Sequence, residues 1–92
     1  MLDQNELQQC EIALRSLSPQ FDWLLNSPDL YIGVSEISRG YKSSIATVRK
    51  WVDDKLIPGA FVDPATNQVR IPKNGLIVFF GRLVMPTFRA TA

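Results

Sequence analysis

Between Lys42 and Lys50 the chain reads KSSIATVRK, a run with three cations, three hydroxyls and no acid. Asp53 and Asp54 follow directly. Side chains of these types, at this spacing, hold anions and donate hydrogen bonds; they do not by themselves make or break bonds. A helix over this stretch would carry Lys42, Ser43, Ser44 and Thr47 at its leading end and both aspartates at its trailing end. Its free leading amides and the positive end of its dipole would then favour phosphate. Arg70 and Lys73 supply further cations later in the chain.

The chemistry that is missing narrows the function. There is no histidine and one cysteine, Cys10. The usual zinc sites, imidazole acid–base chemistry and His-activated nucleophiles therefore have no residues to build them. No Gly-rich phosphate loop or paired-carboxylate motif is visible. No enzymatic activity and no cofactor are expected, and a single cysteine allows no internal disulfide.

The formal net charge of +1 conceals a division. Residues 1 to 29 hold one base and five acids, 1 − 5 = −4, whereas residues 30 to 92 hold nine bases and four acids, 9 − 4 = +5. An acidic part and a basic part suit a polyanion partner that meets only the second. Ninety-two residues make one small domain. No uncharged apolar run is long enough for a membrane span, and the polar, acidic start is unlike a secretory signal. A cytoplasmic protein is expected.

The elements that would position these groups follow from periodicity. Leu7, Cys10, Leu14 and Leu17 mark a helix over about residues 4 to 17, stopped by Ser18-Pro19. A second short helix through PQFDWLLN, with Pro19 at its first position, completes an acidic helical hairpin over residues 1–29. This extension either packs on the remainder or mediates association. In residues 30–92, GVSEISRGYK suggests a helix from Val34 to about Arg39, capped near Ser35 or the residue before it, with Gly40 as terminator. The next helix, about 44–54, places Ile45, Val48, Trp51 and Val52 on its core side. AFVDPATNQVRIP then reads as a β-hairpin turning at Asp63 to Asn67, and KNGLIVFFGRLVM as a last helix, apolar almost all round.

The expected fold is thus mainly α with a small β-hairpin: a winged helix-turn-helix preceded by an N-terminal helical hairpin. VSEISRGYKSSIATVRKWVDDKLIPG followed by NQVRIPKNGLIVFF resembles the excisionase and MerR-like winged-helix family, whose members read V-S-E-x-A, a turn, S-x-x-T-V-R-x-W, x-x-G-x-I-P and a wing ending in R-x-I-P. Val34, Ser35 and Glu36 match the opening; Thr47, Val48, Arg49 and Trp51 match the recognition helix. Leu56 to Pro58 and Arg70 to Pro72 match the later pieces. The resemblance spans about residues 31 to 83. Lys42 stands where the family usually has Gly, Ile45 replaces a residue often basic or polar, and the hairpin tip DPATN carries no cation.

The resemblance implies sequence-specific binding of double-stranded DNA, by a transcriptional regulator or a recombination directionality factor. Lys42, Lys50, Arg70 and Lys73 would contact phosphates, and Thr47 and Arg49, with the Ser43-Ser44 turn, would read bases. So few cations bind weakly alone, so a homodimer or a cooperative assembly on DNA is expected, with an integrase or the transcription machinery as protein partner. Phe79, Phe80, Leu83, Val84 and Met85 exceed what one side of one helix needs, and are candidates for that association or for packing on the N-terminal hairpin. The alternative is a protein–protein interaction module on a winged-helix scaffold that binds no DNA.

Overall fold

Asp3 opens the first helix: its carboxylate accepts the Asn5 amide at 2.9 Å, pairing one of the leading amides that a helix leaves free. The computed structural model describes residues 3–84, and from this cap runs α1 (Gln4–Arg15). It turns Cys10 and Leu14 inward, with Leu7 packed beside them. The chain leaves the helix at Ser16, whose hydroxyl donates to the Ala13 carbonyl at 2.6 Å. Leu17 consequently falls off the stripe and stays exposed. Residues 16–21 form turns, and α2 (Asp22–Leu25) is one short turn. Pro19 lies in the bend before α2 rather than at its first position.

The rest is β1 (Tyr31–Ile32), α3 (Val34–Tyr41), α4 (Ile45–Asp53), β2 (Phe61–Val62), β3 (Val69–Pro72) and α5 (Lys73–Val84). The protein is mainly helical with a small three-stranded antiparallel sheet in the order β1-β3-β2. Ile32 pairs with Ile71, and Phe61 with Arg70. Because side chains alternate across a strand, Ile32 and Ile71 enter the core while Tyr31 and Phe61 remain exposed. The hairpin between β2 and β3 closes through Asp63: its carboxylate accepts the Ala65 amide at 2.9 Å and its carbonyl the Asn67 amide at 2.7 Å. Asn67 takes the left-handed conformation (φ 59°) that asparagine tolerates.

The core is built around α5, in which every residue from Gly75 to Gly81 is buried. A helix apolar all round must be covered all round. On one side α1 lies along it, so close that a Cβ at Gly81 would run into Cys10. On another, Phe80 meets Tyr41 at a ring-centroid distance of 4.5 Å and Phe21 at 5.2 Å. Phe79 and Phe80, expected as candidates for association, are 8% and 0% exposed, so both chiefly pack the core. Leu83 and Val84 remain exposed, and Met85 lies outside the described residues. Among the described residues no helix is long and apolar enough to cross a membrane.

Gly40 does not terminate α3. It sits inside the helix, where a Cβ would strike the Trp23 ring, so its smallness serves packing. The helix begins from Gly33, with no side-chain cap, and ends at Lys42, which adopts φ 54°, ψ 43°. Left-handed backbone suits glycine and strains a residue with a Cβ. Lys42→Gly is accordingly expected to raise stability by about 0.5–1 kcal/mol, seen as a higher urea midpoint. A lower midpoint would mean that the Lys42 side chain makes contacts that outweigh the strain.

Candidate functional site

Three residues, 42–44, connect α3 to α4, and hydrogen bonds on both sides hold them. The Ser43 amide donates to the Ser38 carbonyl at 3.0 Å, and the Ser38 hydroxyl donates back to the Ser43 carbonyl. Ser44 caps α4: its Oγ accepts the Thr47 amide at 3.1 Å and lies 2.8 Å from the Thr47 hydroxyl, to which it is also hydrogen-bonded. Val48 and Val52 anchor α4 in the core, with Trp51 half-buried against Tyr41 and Phe79.

These anchors leave Ser44, Ile45, Ala46, Thr47, Arg49 and Lys50 exposed. Ile45, expected in the core, is 49% exposed. It precedes Val48 by nearly one turn, beyond the end of the apolar core that Val48 and Val52 reach. Lys50 pairs with Asp54 at 3.1 Å across one turn; both groups are well exposed, so the pair adds little stability.

Arg49 and Arg70, expected as separate contacts, come together. Both line an open cleft of about 430 Å³ between α4, the start of α3 and the returning hairpin strand. Tyr31, Asn67 and Gln68 contribute to its walls, and no carboxylate among the described residues does. The pairing of β1 with β3 ends at Ile32, where the chain turns into α3, and the cleft opens beyond that point. Sequence reasoning missed Tyr31 because β1 is two residues long and carries no periodicity. Asn67 and Gln68 had a signal, since they lie within three residues of Arg70 on the returning side of the hairpin.

Lys73 differs from expectation. Its ammonium donates to the Leu25 carbonyl at 3.1 Å and the Ser27 carbonyl at 2.6 Å, tying α5 to the end of α2. The group is half-buried and engaged internally, and we assign it a structural role. Lys73→Met should cost about 1–3 kcal/mol in urea unfolding. A cost below about 0.5 kcal/mol would mean that these two bonds do not tie α5 to the end of α2.

One acid of the N-terminal part is engaged away from the cleft. Glu6 accepts two hydrogen bonds from Arg82, at 2.8 and 3.0 Å, joining α1 to α5. That bonding raises the guanidinium's pKa further. Burial, with the charge of Glu6 nearby, pushes the Cys10 thiol up and keeps it protonated. Among the described residues no cluster of three or more His, Cys, Asp or Glu could hold a metal ion. Compared with family models, curated proteins and solved structures, the chain matches none.

Proposed function

We propose that the protein binds double-stranded DNA as a winged helix-turn-helix module. In this reading α3 and α4 are the helix-turn-helix, α4 enters the major groove with its leading turn, and the β2–β3 hairpin is the wing. The observation that carries it is the cleft in which Arg49 of α4 and Arg70 of β3 converge with no acid beside them. Two guanidinium groups on a concave wall suit phosphate oxygens, which both can grip bidentately. Three features support the same reading. The leading turn of α4 is exposed, the acidic α1 packs along α5, and Lys42 keeps the left-handed backbone that glycine favours at that turn position. Regulation of transcription and direction of recombination use the same contacts, and both remain within the proposal.

Retention of the full chain on nonspecific duplex DNA at low salt, compared with an Arg49→Glu, Lys50→Glu variant, tests it. The parent is expected to be retained and the variant lost; equal retention removes the mechanism. A second reading, a protein-interaction module, is favoured by a mostly apolar groove of about 480 Å³ lined by Leu56, Phe79, Arg82 and Leu83. Association of copies on DNA would use that groove, chiefly through the exposed Leu56 and Leu83, with the buried Phe80 taking no part.

A further inference from the structure

We infer that Ile45 reads the C5-methyl group of a pyrimidine in the major groove; this rests on the DNA-binding reading and gives it a specificity. Ile45, Ala46 and Thr47 form the exposed first turn of α4. The hydroxyls of Ser44 and Thr47 are hydrogen-bonded to each other, and Ser44 Oγ also holds the Thr47 amide. What this turn presents outward is therefore chiefly hydrocarbon: the Ile45 side chain, the Ala46 methyl and the methyl of Thr47.

A single exposed isoleucine is ordinary on a protein surface. Its company distinguishes this one. Ile45 lies four residues before Arg49, hence on the same edge of the helix, and Arg49 lines the cleft that Arg70 completes. With phosphates held by those guanidinium groups, Ile45 would face base edges. The hydrocarbon that a base pair displays in the major groove is the thymine C5-methyl, and 5-methylcytosine displays the same group at the same position. Arg49 would then position the helix, and Ile45 would select a methylated pyrimidine next to it.

Selection of duplexes from a randomised pool with the full chain provides the probe. Each thymine of the selected duplex is replaced in turn by deoxyuridine, which lacks only the methyl, and each cytosine by 5-methylcytosine. At one position or more, loss of the methyl should weaken binding about fourfold, or its addition strengthen binding by the same factor. The deoxyuridine arm identifies thymine as the source and the other arm 5-methylcytosine. Ile45→Ala, at an exposed position that leaves the core intact, should reduce that factor to below about twofold.

Binding that ignores every methyl overturns the inference while DNA binding stands. A methyl effect undiminished in Ile45→Ala overturns the assignment to Ile45. Failure of the parent to retain any duplex at low salt overturns the DNA-binding reading and this inference with it.

Discussion

Reversing Arg49 and Lys50 to Glu is expected to lower affinity for duplex DNA at least about 100-fold near 50 mM salt. Each phosphate contact contributes by releasing a condensed counterion, so the logarithm of the binding constant changes with the logarithm of salt by about 0.9 per contact. At 50 mM salt one such contact is worth about tenfold, and two about 100-fold. Reversal adds repulsion on top of that loss. The salt slope should fall by about 2 in the milder Arg49→Gln, Lys50→Gln variant, which removes charge without reversing it. Neither position carries the fold, since both are exposed. The Glu variant does set new carboxylates four residues before both Asp53 and Asp54, two like-charge pairs costing about 0.2–0.5 kcal/mol each. Circular dichroism of both variants separates this small cost from loss of the site. A parent whose retention does not depend on salt, or Gln variants with an unchanged slope, would sink the phosphate contacts.

Phe80→Ala is expected to remove about 3–5 kcal/mol of unfolding free energy. Phe80 is fully buried and lies within 4.5 to 6.3 Å, ring centre to ring centre, of Phe21, Trp23, Tyr41, Trp51 and Phe79. Those five rings belong to the segment around α2, to α3, to α4 and to α5 itself. One truncation therefore opens a cavity where four parts of the chain meet, and rigid aromatic neighbours collapse poorly into it. A domain of this size has a total stability toward the low end of about 5–15 kcal/mol, so the variant should be close to half unfolded or beyond. Urea titration followed by tryptophan emission reads the change, because Trp23 and Trp51 both flank the site. Ile12→Ala, on the 66% exposed side of α1, should stay within about 0.5 kcal/mol. A Phe80→Ala cost below about 1.5 kcal/mol would mean that α5 is not the centre of the core.

The two predictions probe parts of the molecule that were unequally legible in the sequence. The cationic outer face of α4 is legible because it is local. Val48 and Val52 as anchors, with Lys50 opposite them and Arg49 at the edge, follow from helical geometry within a few residues, whereas the capping role of Ser44 emerged only in the structure. The hairpin turn is legible for the same reason, since Asp63 and Asn67 supply the hydrogen bonds and the left-handed backbone that it needs. β1 is not legible: two residues carry no pattern, and Tyr31 and Ile32 become a strand only because β3 offers them hydrogen bonds. Gly40 illustrates a misreading of type. A glycine near a helix end suggests termination, yet at Gly40 the indole of Trp23, distant in sequence, takes the space a side chain would fill.

What the chain determined by itself was composition and short-range order: the lack of imidazole chemistry, the opposed charges of its two parts, the helical stripes and the turn. Tertiary structure alone decided which apolar groups face inward. Periodicity reports a direction around one helix, but not where the core stops along it, so Ile45 emerges into solvent and Phe79 and Phe80 do not. It also decided the fate of two cations of equal charge, since Lys73 found two backbone carbonyls within reach and Arg70 found Arg49 across an open cleft. Burial and partnership depend on segments far apart in the chain, and those distances close only when it folds.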